Sequence, residues 1–257
     1  MTEFKGQWID HKGRNSRPHV SLVMNFTKPT ADKPALLTLS EVETFLHEFG
    51  HALHGMLAEA RYSSLSGTNV VRDFVELPSQ LMENWLDERE WLQSFAQHYQ
   101  TGEALPVELI ERMERARHFL VGYAACRQLS FGYLDMAWHT ITEPLPEGLD
   151  TKAFEEKAWA KAVLLPASPA PCQMSTAFGH IFSGGYSAGY YGYKWAEVLD
   201  ADAFAAFQEE GIFSRETAQR FRDCVLSQGD REDAEVLYER FRGQAPSIQA
   251  LLRRDGL

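Results

Sequence analysis

Hydrophobic and polar positions alternate along only one stretch of this chain. Apolar residues occupy every second position from Val20 to Phe26. This period of two predicts one half-buried β-strand over residues 20–26. Residues 1–18 are polar, contain glycine and show no period, so we expect no regular element there.

Helical patterns dominate after residue 40. Ser40 and Glu43 match a capping box, which predicts a first helix over about 40–58. A second helix should begin near Asp73 or Pro78 and run to about residue 99, after an irregular loop or short strand at 61–73. Further helices are expected over about 106–141, 152–163, 187–209, 215–228 and 231–242, with a short helical piece after Ser247.

The predicted fold class is therefore mainly α, with one small strand element before the first helix. A proline-rich connector covers residues 164–173. We find no internal repeat, no low-complexity tract and no linker long or polar enough to separate a second domain. Residues 1–257 are accordingly expected to form one domain.

Composition and charge exclude several functional classes. The 257 residues are 44% hydrophobic and 24% charged, which is typical of a folded domain. The net charge is 25 − 36 = −11, which disfavours nucleic acid as a partner. The three cysteines are widely spaced and odd in number, as expected in a reducing cytoplasm. No apolar run approaches the ~18 residues that span a bilayer, so neither export nor membrane insertion is expected.

The first predicted helix contains the pattern His-Glu-x-x-His. His47 and His51 are four residues apart, so on a helix both imidazoles lie on one face with Glu48 beside them. Zinc binds two neutral imidazoles and a carboxylate, and it lowers the pKa of a water in the fourth position towards ~7. Glu48 would accept the proton of that water and pass it to a leaving amine. The alternative is a chance match on an amphipathic helix, but Gly50 weakens such a helix and instead indicates close approach of another backbone.

The third ligand should come from another segment. Asp73, Glu76 and Glu83 are the candidates, and Glu76 lies in the apolar stretch FVELP, where an unpartnered carboxylate would be costly to bury. Glu76 could equally bond to exposed amides at a helix start. Glu83 and Glu43 could be solvent-facing charges or acceptors that orient a ligand histidine. His54 lies ~10 Å along the helix from His47, too far to share the ion easily. We expect it either to support a ligand without contacting the ion or to lie at the surface.

A glycine-rich segment places four tyrosines within eight residues. If a helix begins near Tyr186, then Tyr186, Tyr190 and Tyr193 share a face and Tyr191 turns away. Phenolic hydroxyls suit a carbonyl oxygen that becomes negative during attack by water, and His180 could be a further donor. The alternative is an aromatic stripe in a core, but the interspersed glycines would leave such a core poorly filled.

These motifs resemble the thimet oligopeptidase family of zinc peptidases, and most closely its bacterial dipeptidyl carboxypeptidase and oligopeptidase A branches. The resemblance covers essentially the whole chain, through PALLTLSEVETFLHEFGHALHG, SLSGTNVVRDFVELPSQLMENW, FGHIFSGGYSAGYYGYKWAEVLDADAF and the tail GIFSRETAQRFRDCVLSQGD with RFRGQAP. It implies a multi-helix, zincin-like (gluzincin) catalytic domain. It also implies one zinc ion on His47, His51 and Glu76, with Glu48 as the general base.

The resemblance implies further site residues. His180, Tyr186 and Tyr193 would contact the substrate or stabilise its transition state, and Tyr190 would be another cleft tyrosine. Glu43 and Glu83 match carboxylates just outside the ligand set. The SLSGTN loop favours release of carboxy-terminal dipeptides from short peptides, with endo-acting cleavage as the alternative.

Family members typically carry a large helical amino-terminal portion that this chain lacks. The resemblance therefore implies that residues 1–257 are the catalytic portion, either as a piece of a longer protein, as a naturally short protein or with a separate chain that supplies the missing wall. An apolar face left exposed would favour self-association. The alternative from another functional class is a zinc-bound, non-catalytic peptide-binding fragment. The group that recognises a free carboxy terminus is left open, with Arg72, Arg127 and Lys194 as available cations.

Overall fold

The computed structural model describes residues 1–165 and 173–257, and these residues are mainly α-helical, as predicted. Residues 166–172, in the predicted connector, lie outside the described part. The helices are α1 Leu39–Met56, α2 Leu77–Glu83, α3 Arg89–Phe95, α4 Val107–Arg117, α5 Val121–His139, α6 Thr151–Trp159, α7 Met174–Ala177, α8 Gly192–Glu210, α9 Arg215–Phe221, α10 Ala234–Arg242 and α11 Gln249–Arg254.

Helix α1 begins slightly before the predicted position because a different residue caps it. The Thr38 hydroxyl accepts from the Glu41 amide, and the Glu41 carboxylate accepts from the Thr38 amide. The capping box is therefore Thr38 with Glu41, and the predicted box of Ser40 with Glu43 is wrong. Ser40 and Glu43 lie inside the helix, two residues further along.

Two predicted long helices are interrupted. The helix predicted over 106–141 divides into α4 and α5 at Leu120, which adopts a left-handed conformation with φ of 57°. The helix predicted from 73 or 78 to 99 divides into α2, a 3₁₀ turn at Asn84–Asp87 and α3. Asn84 donates to the carbonyl oxygens of Gln80 and Leu81 and so satisfies the last turn of α2.

The strand prediction is correct at only one end. Strand β4 is His19–Ser21 and pairs antiparallel with β1, Thr2–Lys5, in the register Thr2↔Ser21. Residues 22–26 are not in a strand, since β1 offers no partner for them. A second antiparallel pair, β2 Trp8–Ile9 with β3 Asn15–Ser16, lies in the segment where we expected no element.

The chain divides into two compact units. The first consists of Met1–Arg115 and Ala196–Leu257, and the second is Ala116–Trp195. The first unit holds the main hydrophobic core, in which apolar side chains from α2, α8, α9 and α10 pack together. Its largest members include Leu77, Leu81, Phe204, Phe207, Phe241 and Tyr238.

Helices α1 and α2 of the first unit approach each other closely at Gly50. Gly50 faces the Pro78–Ser79 backbone, and a Cβ at position 50 would lie 2.6 Å from the Ser79 Cα and nearer still to the Pro78 carbonyl oxygen. The backbone approach that Gly50 predicted is therefore confirmed. This contact brings the His-Glu-x-x-His face of α1 against the start of α2.

The second unit contains α5, α6 and α7 and the segment before α8. The indole of Trp138 packs on Phe154 at 4.1 Å between ring centroids and donates to the Ser175 hydroxyl. The buried Glu155 carboxylate accepts from the amides of Met174 and Ser175. Among the described residues of the whole chain, we find no helix with the length and hydrophobicity of a membrane span.

Candidate metal centre and tyrosine loop

Three predicted ligands converge where α1 meets the start of α2. The Glu76 Oε2 atom lies 3.2 Å from His51 Nε2 and 3.4 Å from His47 Nε2. One ligand atom from each residue lies within 4.8 Å of the other two. In the described part of the chain, this is the one group of three or more such side chains close enough to share an ion.

The local sequence explains why Glu76 points at the histidines. It stands immediately before α2 and makes no side-chain cap to the helix amides. The residue is only 2% exposed, and Ser79 donates a hydrogen bond to its Oε2 at 2.9 Å. The helix-start alternative for Glu76 is therefore not observed, and the carboxylate is directed away from the amides of its own helix.

The donor set fits zinc. A tetrahedral ion at ~2.0–2.2 Å from nitrogen and oxygen ligands separates those atoms by roughly 3.3–3.5 Å. The two histidine–carboxylate distances, 3.2 and 3.4 Å, match this separation. A divalent ion would add positive charge beside this buried carboxylate.

Glu83 orients one of the histidines. Glu83 lies one turn after the part of α2 that contacts α1, and its Oε1 lies 2.5 Å from His47 Nδ1. Burial alone would lower the pKa of His47, but the hydrogen bond to Glu83 and the charges of Glu83, Glu76 and Glu48 outweigh it and raise that pKa. If Nδ1 carries the proton and donates to Glu83, Nε2 keeps its lone pair towards Glu76 and a metal.

Two further glutamates of α1 flank this cluster. The Glu48 carboxylate follows His47 directly, is partly exposed and contacts the amino group of Met1. Glu43 lies one turn before His47. The residue is exposed, but partial desolvation of its carboxylate, together with the charges of Glu83 and Asp87, raises its pKa. The structure thus places both Glu43 and Glu83 near His47, while Asp73, the other candidate, is not in the group of ligand atoms.

His54 is not at the surface. It is fully buried, neither ring nitrogen has a hydrogen-bond partner, and it does not belong to the cluster. Burial and the nearby His51 lower its pKa to about 3, so the ring is neutral near pH 7. The expected surface role for His54 is wrong.

The predicted tyrosine site forms in the second unit, although its helix begins late. Helix α8 starts at Gly192 instead of 187. Residues 186–193, here called the tyrosine loop, comprise successive turns over 187–191 and the first two residues of α8. Tyr193 nevertheless packs on both Tyr186 and Tyr190 at 5.0 Å between ring centroids. Tyr191 is half exposed and so points elsewhere.

His180 lies beside the same rings. Its imidazole is exposed and 6.2 Å from the Tyr186 ring and 6.4 Å from the Tyr190 ring, between centroids. The four residues named from the sequence as His and Tyr candidates therefore form one aromatic group. These four residues belong to the second compact unit, whereas the predicted metal ligands belong to the first.

Sequence reasoning missed two polar residues that support these groups. Ser79, which donates to Glu76, follows it by three residues, a spacing that could have indicated the contact. Asp135 accepts from the backbone amides of Ala188 and Tyr190, more than fifty residues further along the chain. Nothing in the local pattern of α5 indicates that contact.

Fold and site together define a helical protein with a candidate metal centre on a His-Glu-x-x-His helix. The sequence model of peptidase family M3 matches residues 2–257. The chain is 44% identical to dipeptidyl carboxypeptidase of Escherichia coli K12 over 98% of its length, and 45% identical to oligopeptidase A of the same organism over 100%. It is 36% identical to a thimet-like oligopeptidase of Dictyostelium discoideum over 95%.

The chain belongs to peptidase family M3, a family of metallopeptidases. This membership confirms the resemblance drawn from the sequence motifs. The chain spans only 37% of the dipeptidyl carboxypeptidase and 38% of oligopeptidase A.

Proposed function

We propose that this chain is a zinc-dependent peptidase that hydrolyses short oligopeptides. The observation that carries the proposal is the cluster of His47, His51 and Glu76, whose spacing suits one zinc ion, with Glu48 next to His47 on the same helix. Membership of peptidase family M3 supports the same activity.

The residues of the first unit divide the chemistry among them. A zinc ion in this site supplies Lewis-acid polarisation and a lowered pKa for the attacking water, towards ~7. Glu48 accepts the proton of that water and delivers it to the leaving amine. Glu83 holds the His47 ring in one orientation through Nδ1, and Glu43 adds negative charge that favours a cation in the site.

The residues of the tyrosine loop act on the substrate. Tyr193 and Tyr186 donate hydrogen bonds to the carbonyl oxygen as it becomes negative, and His180 and Tyr190 contact the peptide. Their clustering supports a shared role, since the rings of Tyr186 and Tyr190 both pack on Tyr193.

We further propose that the products are carboxy-terminal dipeptides. The SLSGTN loop at residues 64–69 favours this mode over internal cleavage, while relatives of both names have nearly the same identity, 44% and 45%. Product masses from a peptide ladder test it. A series of dipeptides released from the carboxy terminus is expected, whereas internal fragments would assign the chain to the endo-acting mode.

The general base is tested by Glu48→Gln. The variant should bind zinc as the parent does and lose peptide hydrolysis, whereas Glu111→Gln, on the exposed side of α4, should keep full activity. Glu76→Ala should lose the ion, because two imidazoles alone bind it weakly. Retained turnover in Glu48→Gln would overturn the assignment of the base.

We propose that the chain acts in the cytoplasm on short peptides, either in a self-associated form or together with a second polypeptide. The rival function is zinc-bound peptide binding without catalysis, motivated by the 37% coverage of the dipeptidyl carboxypeptidase. Stoichiometric zinc without cleavage of any short peptide would favour this rival.

A further inference from the structure

Asp135 joins the middle of α5 to the tyrosine loop. Its side chain is fully buried, with Oδ1 accepting from the Ala188 amide and Oδ2 from the Tyr190 amide, both at 2.9 Å. His139 Nδ1 lies 2.8 Å from Oδ1. Both carboxylate oxygens are therefore used, and each holds a backbone amide of the loop.

The backbone turns of the loop use other amides than those held by Asp135. Gly189 donates to the Tyr186 carbonyl, and Gly192 and Tyr193, which begin α8, donate to the Gly189 and Tyr190 carbonyls. The Ala188 and Tyr190 amides donate to Asp135 instead. Ala188 has φ of 55°, a left-handed conformation that an alanine rarely adopts without an external constraint. The hydrogen bond from the Ala188 amide to Asp135 supplies that constraint.

The same part of α5 contacts the aromatic rings. Phe131, one turn before Asp135, packs edge-on against Tyr190 at 5.9 Å between centroids. Tyr190 in turn packs on Tyr193 at 5.0 Å. The positions of the Ala188 and Tyr190 backbones relative to α5 therefore determine where the tyrosine rings lie.

We propose that Asp135 is a positioning residue: it holds the tyrosine loop against α5 so that the tyrosine hydroxyls are placed for peptide hydrolysis. This inference rests on the proposed function of the loop. Asp135 contacts the loop backbone and His139, so it acts through the loop and not on the substrate.

The test compares Asp135→Asn with a matched control. Asparagine keeps the size of the side chain but replaces one acceptor oxygen with an amino group, so one of the two loop amides loses its partner. Glu155→Gln is the control, because Glu155 is a buried carboxylate of the same unit that also accepts from two successive backbone amides, those of Met174 and Ser175.

Two measurements are made on the zinc-loaded proteins. Hydrogen exchange of the loop amides should accelerate by about tenfold or more in Asp135→Asn and stay unchanged in Glu155→Gln. With a short peptide substrate, kcat of Asp135→Asn should fall by about 10–100-fold with little change in KM, because misplaced donors weaken the transition state more than the bound substrate. Zinc stoichiometry should be the same in all three proteins.

Each outcome decides the inference. Unchanged exchange in Asp135→Asn would show that the carboxylate does not hold the loop. Accelerated exchange with an unchanged kcat would show that the loop is held but that its position does not matter for hydrolysis, which also overturns the inference. A parent protein that cleaves no peptide would refute the proposed function separately, and the positioning role with it, even if exchange shows that Asp135 anchors the loop.

Discussion

Replacing Gly50 with alanine should separate the two segments that carry the metal ligands. Gly50 lies between His47 and His51 on α1, and a Cβ there would be 2.6 Å from the Ser79 Cα. Ordinary carbon contacts are ~3.5–4.0 Å, so α1 and α2 must move apart locally by about 1 Å. The distance between a metal ion and a ligand atom tolerates a change of only ~0.2 Å.

The size of the effect follows from two opposing contributions. Overpacking lowers the free energy of unfolding by ~1–3 kcal/mol. Replacing a helical glycine with alanine raises it by at most ~1 kcal/mol. We therefore expect a net loss of stability of roughly 1–2 kcal/mol. Zinc affinity should fall by about 10–100-fold, the scale at which disturbed support of a ligand is felt.

The assay is zinc titration against a competing chelator, together with thermal unfolding of the metal-free protein. Gly122→Ala is the matched control, because Gly122 is also helical and a Cβ there has no neighbour within 4 Å. The control should bind zinc normally and be as stable as the parent or slightly more so. Parental zinc affinity in Gly50→Ala would refute the claim that this helix contact sets the ligand geometry.

Three further substitutions test other parts of the molecule. His54→Leu should keep stoichiometric zinc and raise Tm by a few degrees, because it removes two buried ring nitrogens that lack partners; loss of zinc would make His54 a ligand. Hydrogen bonds from Thr38 and Thr27 lower the pKa of Glu41 to about 2, so this group contributes stability above pH 4.5 that is lost as the pH falls towards 2. In metal-free protein, Glu41→Gln should therefore weaken the dependence of the free energy of unfolding on pH between 4.5 and 2. An unaltered pH dependence would contradict the capping box. Tyr193→Phe should lower kcat by ~10–1,000-fold, the range for one oxyanion donor, and full activity would remove Tyr193 from the mechanism.

The sequence predicted the clustering of His47 and His51 because that signal is local. His47 and His51 are separated by one helical turn, so the pattern alone places both rings on one face. Glu76 was less certain, since its neighbours allowed a helix-start role as well. The position of the Glu76 side chain depends on the approach of α2 to α1, which involves Pro78 and Ser79. The position of Glu76 in the sequence does not indicate that approach.

The wrong predictions of the fold have the same physical origin. Leu120 adopts a left-handed conformation although it is neither glycine nor asparagine, so the residue itself did not indicate the division of α4 from α5. The strand β4 ends at Ser21 because its partner β1 is short, and pairing is not determined by alternation alone. Tyr186, Tyr190 and Tyr193 were expected together from helical spacing, yet turns held by Asp135 bring them together instead.

The most direct measurement is anomalous scattering at the zinc edge from crystals grown with stoichiometric zinc. The account predicts one ion per chain, at ~2.0–2.2 Å from Nε2 of His47, Nε2 of His51 and a carboxylate oxygen of Glu76. An ion held by other side chains, or no ion beside these three residues, would contradict it.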